Sequence, residues 1–248
     1  MRTIIEKVVK VSDSIRIKII SKSFINLISR QNYAHNLTWC GVKIFQTPTD
    51  LFLYQKLIFR AKPNVIIETG VAKGGSVLFA CQMLDILHGK ESRNNWRIIC
   101  SDINSLEEAK QVIRRFGYLE NVYFFHGDSA SLEFQNVVQD QLKKINTAQV
   151  LVSLDSNHTE DHVFNELSSL SRFVSLNSYA VIWDSRIGDL SILTHYLRPR
   201  AWNKKQHAGT GVLRFLKSES VAHTFENCRD IENSFLLSGT KNGVLLRR

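Results

Sequence analysis

The residues of this chain best suited to chemistry are five acids, each at or just after the end of an apolar run. They are Glu68, Asp102, Asp128, Asp155 and Asp184. If the runs are parallel strands, their carboxyl ends meet at one edge of a sheet, and open α/β sheets bind ligands at that edge. One acid in such a position is ordinary because Asp also caps helices. Five acids together indicate a shared pocket.

A glycine-rich turn follows the first acid. Residues 68–76 read Glu-Thr-Gly-Val-Ala-Lys-Gly-Gly-Ser, with an apolar, β-branched run before them and a helical pattern after them. Gly70 and Gly74 let the backbone turn sharply and approach a ligand closely. Ser76 is predicted to cap the helix, whose N-terminus favours a negative group.

The spacing of this turn narrows the choice of ligand. It is not the dinucleotide fingerprint G-x-G-x-x-G, and it lacks the Lys-Ser/Thr end of a P-loop. An acid before the turn suits a ligand with a cationic or hydroxyl-bearing part, and S-adenosylmethionine is such a ligand. At the end of the next strand, Asp102 can accept hydrogen bonds from ribose hydroxyls. The alternative is a turn that only packs a helix on a strand.

Apolar patterning predicts the elements that position these residues. Strands are predicted at 65–68, 97–102, 122–126, 150–155 and 179–184, separated by helical patterns at 76–84, 105–116, 132–144 and 159–173. Residues 211–216 and 243–247 are predicted to form a final pair of strands. This alternation predicts an α/β fold, a Rossmann-like sheet with helices on both faces.

Residues 1–46 are predicted to be an N-terminal appendage to a ligand-binding domain at 47–248. Residues 1–30 place Ile4, Val8, Val11, Ile15 and Ile19 at helical spacing. They favour a helix packed on the domain or on another subunit, and so a homo-oligomer. A basic helix in weak contact with a membrane surface and a set of strands are the alternatives. The apolar runs are too short for a transmembrane span or a signal peptide.

Charge and cysteine content constrain the partners and the compartment. The chain has 248 residues and a formal net charge of +9, concentrated in residues 1–30 and 186–217. Neither stretch has an aromatic-basic RNA-binding signature, so no nucleic-acid partner is expected. Four scattered cysteines, at positions 40, 81, 100 and 228, predict reduced thiols in a cytoplasmic protein.

Three segments resemble the cephalosporin hydroxylase family. They are 38–42 (Thr-Trp-Cys-Gly-Val), 66–76 (Ile-Ile-Glu-Thr-Gly-Val-Ala-Lys-Gly-Gly-Ser) and 154–158 (Leu-Asp-Ser-Asn-His), and the resemblance extends over residues 36–247. Despite the name, members of this family have the class I S-adenosylmethionine-dependent methyltransferase fold. The wider group includes rhamnosyl and macrolide-sugar O-methyltransferases. The resemblance implies methyl transfer to a hydroxyl of a sugar, a glycan or glycolipid, or a secondary metabolite.

The resemblance also implies roles for the strand-end residues. Glu68 and Gly70 would contact the methionine part of the cofactor, and Asp102 would hold the ribose. Asp128 and Ser129 would lie beside the adenine.

In related sugar O-methyltransferases, an Asp after the fourth strand binds Mg²⁺, and a His three residues later is the general base. Asp155 and His158 match that pattern. The alternative for His158 is a structural role, either as a cap on the following helix or in a hydrogen bond to a backbone carbonyl.

The chain departs from the family where two more metal ligands are expected after the fifth strand. The family carries Glu-Asp there, and this chain has Trp183 and Asp184; Asn157 also replaces the second Asp of the family's Asp-x-Asp-His. Asp184 fits a metal ligand, but Trp183 cannot be one. Mg²⁺ takes oxygen ligands, usually with one or two carboxylates among them. Three alternatives follow: Asp189 or a water replaces the missing ligand, the metal binds poorly, or catalysis needs none.

The sequence therefore leaves three functional hypotheses. The first is an active O-methyltransferase, in which His158 takes the proton of an acceptor hydroxyl whose pKa a metal lowers. The second is a catalytically lapsed cofactor-binding protein, motivated by Trp183. The third, motivated by charge alone, is a nucleic-acid-binding or nucleic-acid-modifying protein.

A basic stretch after the fifth strand bears on the substrate. Lys204, Lys205 and His207 precede Gly209-Thr210-Gly211. They predict either a mobile basic lid over an anionic sugar or glycolipid, or a solvated surface loop.

Overall fold

The computed structural model of the protein describes residues 2–145, 147–197, 200–218 and 224–248, and only the backbone of residues 2–11 and 14. The strands of the described residues are, in chain order, β1 Thr38–Trp39, β2 Val42–Lys43, β3 Val65–Thr69, β4 Arg97–Asp102, β5 Val122–His126, β6 Val150–Leu154, β7 Tyr179–Ile182, β8 Phe225–Asn227 and β9 Val244–Arg247. The α-helices are α1 Arg2–Arg30, α2 Tyr33–Asn36, α3 Pro48–Ala61, α4 Gly75–His88, α5 Glu107–Arg115, α6 Leu132–Leu142, α7 Glu160–Leu170, α8 Ile192–Leu197, α9 Ala208–Leu216 and α10 Arg229–Asn233.

The main sheet has the strand order β5-β4-β3-β6-β7-β9-β8, and β1 pairs with β2 in a separate hairpin. Strands β5, β4, β3, β6 and β7 are parallel, while β9 runs antiparallel to both of its neighbours. From β3 the chain moves outward to β4 and β5, then returns to place β6 on the other side of β3. Ligands of open α/β sheets bind at such a reversal, outside the carboxyl ends of the strands.

Two hydrophobic layers cover the sheet, as expected when alternate strand residues point to opposite faces. Ile66 packs with side chains of α3, α4 and α5. Ile67 packs with side chains of α6, α7 and α9. Every residue of β3 is buried, which explains its continuous apolar sequence. The α/β fold and the five parallel strands predicted from the sequence are therefore confirmed.

The prediction of a strand at 211–216 is wrong, because these residues lie in α9. His207 begins that helix: its Nδ1 accepts from the backbone N–H of Gly209, and its own N–H donates to Thr210 Oγ1. Val212 and Phe215 are buried on the α7 side of the sheet, three residues apart as a helix requires. The run is too short for its period to reveal this. The strand that pairs with β9 is β8.

The N-terminal segment is helical over residues 2–30, so the strand alternative is wrong. Its C-terminal third docks on the segment that follows β7. Asn26 Oδ1 accepts from Ser191 N at 2.7 Å and from Thr194 Oγ1 at 2.9 Å. Arg186 Nη2 donates to Ser21 Oγ at 2.9 Å. No helix among the described residues is long and apolar enough to span a bilayer.

Candidate functional site

A cavity of about 790 Å³ opens at the carboxyl edge of the sheet. Four of the five predicted acids line it, namely Asp102, Asp128, Asp155 and Asp184. The fifth, Glu68, is only 1% exposed and instead contacts Ser76, which lines the cavity. Four strand-end acids therefore lie at one site, and Glu68 is buried directly behind it.

Glu68 ties the end of β3 to the start of α4. Its Oε1 accepts from Ser76 Oγ at 2.5 Å, and its Oε2 accepts from Tyr54 Oη at 3.2 Å. Burial raises the pKa of Glu68 to about 7, and the two hydrogen bonds offset only part of that rise. Gly74, not Ser76, occupies the N-cap position of α4, so the predicted capping role of Ser76 is wrong. The Ser76 hydroxyl holds Glu68 instead.

The glycine turn lies directly against the end of β6. Gly70 has a φ of +80°, and a Cβ added there would lie 2.1 Å from the carbonyl oxygen of Asp155. This close approach is between two backbone segments, whereas the sequence predicted an approach to a ligand. Gly70 and Asp155 both line the cavity. Their contact therefore fixes the position of the glycine turn relative to the end of β6.

Asp102 holds the turn from the other side. Its Oδ2 accepts from the backbone N–H groups of Val71 and Ala72, each at 2.9 Å, and its Oδ1 accepts from Asn104 N at 2.8 Å. Asp128, after β5, is exposed and accepts from Ala130 N at 3.0 Å. Both carboxylates therefore order their own loops while facing the cavity.

Asp155, His158 and Asp184 form the chemical centre of the cavity. One ligand atom from each lies within 4.8 Å of the others, and His158 Nε2 is 3.5 Å from Asp184 Oδ2. Burial, and then the charges of Asp184 and Glu68, raise the pKa of Asp155 well above its usual range. The two carboxylates suit a divalent cation such as Mg²⁺, which takes oxygen ligands and would also relieve the repulsion between the acids.

His158 does not cap α7, so the capping alternative is wrong. The side chain of the preceding residue, Asn157, accepts from Thr159 N at 2.9 Å at the start of that helix. The His158 side chain is 23% exposed and lines the cavity. The His158 ring is therefore accessible from the cavity, while Asn157 forms the hydrogen bond at the start of the helix.

Two residues that the sequence reading missed support this centre. Gln46 Nε2 donates to Asp155 Oδ2 at 2.7 Å. Asp50, 4% exposed, accepts from Thr47 Oγ1 and Ser238 Oγ, each at 2.6 Å, and burial raises its pKa to about 6. Asp50 comes at a helix start with Pro48, where an acid is expected anyway, so its burial could not be read from the sequence.

A second missed group lies on α7. His162 and Glu166 are one helical turn apart, and His162 Nε2 is 3.5 Å from Glu166 Oε1. Burial alone would lower the pKa of His162, but the hydrogen bond and charge of Glu166, with the charge of Asp128, raise it overall. The i,i+4 spacing of a His and a Glu is the sequence signal that could have revealed this pair.

The basic stretch after β7 is largely ordered by its own contacts. His207 begins α9, and burial lowers its pKa. Lys204 and Lys205 are exposed. Arg200 and Trp202 line the cavity. Residues 198–199 of this basic stretch lie outside the described residues.

Comparison with known proteins identifies the family. A family model described as Rhamnosyl O-methyltransferase/CmcI matches residues 31–248. The chain belongs to that family. Membership confirms the predicted resemblance and the prediction of an S-adenosylmethionine-dependent methyltransferase.

Curated relatives and solved structures agree with this family. A Rhamnosyl O-methyltransferase of Mycobacterium tuberculosis is 22% identical over 222 residues, covering 87% of this chain and 82% of that protein. Another, of Mycobacterium leprae, is 24% identical over 166 residues, covering 66% of this chain and 68% of that protein. Structures of CmcI with Mg and SAM, and with SAH, give TM-scores of 0.58 and 0.53 at 16% identity, covering 86% of this chain and 77% and 81% of theirs. The structural likeness shows the class I methyltransferase fold.

Trp183 stands where the sequence resemblance predicts a metal-binding carboxylate. The side chain is 2% exposed and packs edge-on against Tyr54, with ring centroids 5.4 Å apart. Its Nε1 donates to Ser153 Oγ at 2.8 Å. Trp183 therefore fills the core on the α3–α4 side of the sheet. Asp189, the acid considered as a replacement for the missing ligand, forms ion pairs with Arg186 and Lys241. Asp50 is the acid that lies near Asp184, and Gly239 is next to both carboxylates.

We predict that Trp183→Glu destabilises the protein without strengthening metal binding. The new carboxylate would replace a buried indole beside Tyr54, so we expect a loss of about 3 kcal/mol or more in the free energy of unfolding. Urea unfolding measures this, and Trp183→Phe, which keeps an apolar ring, is the matched control. A stable Trp183→Glu protein with higher Mn²⁺ affinity would contradict the prediction.

Proposed function

We propose that the chain transfers a methyl group from S-adenosylmethionine to a hydroxyl of a sugar-containing acceptor. The observation that carries this proposal is the grouping of Asp155, His158 and Asp184 in the cavity beside the glycine turn. The names of the curated relatives favour a rhamnosyl acceptor. Other glycans, glycolipids and secondary metabolites with a free hydroxyl belong to the same acceptor class.

The proposed cofactor site follows the strand ends in order. Gly70 and Ser76 line the proposed methionine end, and Gly74 belongs to the same turn. Glu68 lies behind Ser76, and when it is ionised its charge attracts the cationic groups of the cofactor. Asp102, next to the turn, is proposed for the ribose hydroxyls. Asp128 and Ser129 are proposed for the adenine. When bound, S-adenosylmethionine supplies the methyl group from its sulfonium.

The proposed proton acceptor is His158, through Nε2. The carboxylate of Asp184, 3.5 Å away, stabilises the charge that this ring gains. Asp155, which Gln46 orients, would hold Mg²⁺ together with Asp184. When bound, the metal would lower the pKa of the acceptor hydroxyl. The protein itself aligns the two reactants and removes the proton.

The rest of the cavity suits a sugar with an apolar neighbour. Its lining includes the rings of Tyr33, Phe45 and Trp202, with Lys43 and Arg200 among its cations. Aromatic surfaces with a few polar groups are typical of small-molecule sites. The two cations support the proposal that the acceptor is anionic.

Calorimetry with S-adenosylhomocysteine, with and without Mg²⁺, tests the proposed cofactor site. For a functional site we expect a Kd in the micromolar range, which corresponds to a binding free energy of about −8 kcal/mol. Binding without turnover of any acceptor would favour the lapsed alternative. No binding at all would refute both, and would leave the nucleic-acid hypothesis, for which salt-dependent affinity is the signature.

The raised pKa of Glu68 predicts a pH dependence of cofactor affinity. With a pKa of about 7, the ionised fraction of Glu68 rises from about a tenth at pH 6 to about nine tenths at pH 8. If only the ionised form binds the cationic cofactor well, its apparent Kd falls about tenfold over that interval. Calorimetry with S-adenosylmethionine measures this. Glu68→Gln, of similar size, should bind more weakly at pH 8 and show a flat profile; a flat wild-type profile would contradict the assignment.

We also propose that residues 1–46 are an appendage to the domain at 47–248 and that the chain self-associates through this segment. In α1, Ile15, Ile19 and Ile20 are each more than half exposed, which supports a surface that a second copy covers. Weak contact of residues 1–30 with a membrane surface is the alternative. Light scattering of the full chain tests self-association, and a monomer at micromolar concentration would contradict it.

We propose a cytoplasmic location on the basis of the thiols. All four cysteines are free, and two of them, Cys81 and Cys100, are fully buried. Burial raises the pKa of both thiols well above the usual value, which makes them unreactive. Chains with scattered free thiols are typical of reducing compartments.

A further inference from the structure

One polar network on the wall of the cavity contains two residues, His162 and Glu166, that have no role in the proposed function so far. It consists of Ser129 after β5, Ser156 after β6, and the α7 pair His162 and Glu166. His162 Nε2 lies 3.0 Å from Ser156 Oγ and 3.3 Å from Ser129 Oγ. His162 and both serines line the cavity. The network therefore links the ends of two strands that are not neighbours in the sheet.

Glu166 anchors this network. It is 1% exposed, and its Oε1 accepts from Ser129 Oγ at 2.5 Å and from Ser156 Oγ at 2.7 Å. Within the described part of the chain, its Oε2 is buried without a hydrogen-bond partner. A buried carboxylate with incomplete hydrogen bonding is costly, so a positive or donor-rich neighbour is needed. His162, whose Nε2 lies 3.5 Å from Oε1, is a neighbour that can carry positive charge.

The hydrogen-bond inventory determines how the His162 ring is held. Each serine hydroxyl has one proton and donates it to Glu166, so each can only accept from His162. Nε2 of His162 must therefore carry a proton that points at the serines. That edge of the ring is fixed against the protein, and the side chain, 23% exposed, presents the remainder of the ring to the cavity.

The position of the ring relative to the proposed cofactor site decides its use. Ser129 belongs to the proposed adenine end, and Ser156 follows Asp155 at the proposed reacting end. The His162 ring, held between these serines, therefore lies on the cavity wall between the proposed adenine end and the proposed reacting end. Stacking of an aromatic side chain on a base uses the flat face of the base and strengthens binding by about tenfold or more.

We propose that His162 is a cofactor contact whose imidazole packs against the purine ring, with Glu166 as the residue that positions it. This inference rests on the proposed function and names a part of its cofactor site that the strand-end acids do not supply. The edge of the ring that bonds the serines is unavailable to the cofactor, so its flat face makes the contact.

Calorimetry with two probes tests this contact. S-adenosylhomocysteine contains the whole cofactor skeleton, and 5′-methylthioadenosine contains the adenine and ribose without the amino acid. We expect His162→Ala to weaken both probes by the same factor, about tenfold. His162→Phe, which keeps a flat ring, should stay within about threefold of wild type. His162→Leu, of similar bulk without a flat ring, should resemble His162→Ala.

The controls separate this contact from a structural role and from the proposed function. Glu68→Gln should weaken S-adenosylhomocysteine more than 5′-methylthioadenosine, because it acts at the amino-acid end. Urea unfolding shows whether each variant is folded. If the folded Ala and Leu variants bind both probes as the wild type does, or lose only S-adenosylhomocysteine affinity, the inference is overturned while the proposed function stands. If wild-type protein binds neither probe, the proposed function fails as well.

Discussion

Replacing His158 with Ala is expected to lower kcat for methyl transfer by about 10²- to 10⁴-fold, the range that general-base catalysis contributes. The affinity for S-adenosylhomocysteine should stay within about twofold, because His158 lies beside the carboxylates and contributes to no predicted cofactor contact. The loss should therefore appear in kcat and not in cofactor binding. Steady-state kinetics with a methylated-product assay and calorimetry measure the two quantities.

Two further measurements show whether the effect is specific to His158 and whether His158 acts as a base or as a metal ligand. His88→Ala is the matched control, because His88 ends α4 and contacts the carbonyl of Pro63; its kcat should equal that of the wild type. The affinity of His158→Ala for Mn²⁺ separates a base from a metal ligand. A base leaves that affinity nearly unchanged, whereas a loss of metal binding equal to the loss of kcat would show that His158 is a ligand.

Replacing Gly70 with Ala is expected to abolish tight cofactor binding. The new Cβ would lie 2.1 Å from the carbonyl oxygen of Asp155, a backbone atom that cannot move away alone. The turn and the end of β6 must therefore separate, and a loss of about 2.8 kcal/mol of binding free energy at the turn corresponds to about 100-fold in Kd. We expect the Kd for S-adenosylhomocysteine to rise by at least that factor. Thermal unfolding should also show lower stability.

Gly117→Ala is the matched control for the turn. Gly117 has a φ of +77°, close to the +80° of Gly70, but a Cβ there would meet nothing within 4 Å. Both variants therefore carry the same left-handed backbone cost, about 1–2 kcal/mol. Only Gly70→Ala adds the collision with Asp155. Equal effects of the two variants on cofactor affinity would show that the close contact at Gly70 has no functional weight.

Much of the fold was predictable because its central strands are buried on both faces. Such strands are continuous apolar runs, and Val65–Thr69 and Val150–Leu154 are read as strands without help from periodicity. Their acids follow immediately, so the site at the carboxyl edge was also predictable. The pattern failed at α9, where a six-residue apolar segment fits either period and the capping side chain, His207, is not a usual cap residue.

The supporting residues of the site could not be predicted, because nothing local marks them. Gln46 reaches Asp155 across 109 positions of sequence. Asp50 is an unremarkable acid at a helix start until Ser238, far along the chain, bonds its carboxylate. Ser76 looks like a cap, yet the proximity of Glu68 gives its hydroxyl another partner. Each of these roles depends on long-range packing and not on sequence spacing.

The direction of the Trp183 side chain could not be predicted from the sequence either. A strand-end position can face the cavity or the core, and one residue of difference reverses the direction. Here Trp183 packs with Tyr54 in the core, and Asp184, in a left-handed conformation with φ 51°, faces the cavity. The position of the expected carboxylate is therefore occupied by a buried indole that packs in the core. The acids that remain at the site are Asp155 and Asp184, with Asp50 nearby.

Transfer of a labelled methyl group tests the central claim most directly. The protein is incubated with methyl-labelled S-adenosylmethionine, Mg²⁺ and a panel of rhamnosides and other glycosides, and the product is located by NMR. We predict label on an acceptor hydroxyl oxygen, an equal amount of S-adenosylhomocysteine, and formation of both products at least about 100-fold more slowly with His158→Ala. Tight binding of S-adenosylhomocysteine, with no label on any acceptor of the panel, would contradict this account and favour a lapsed enzyme.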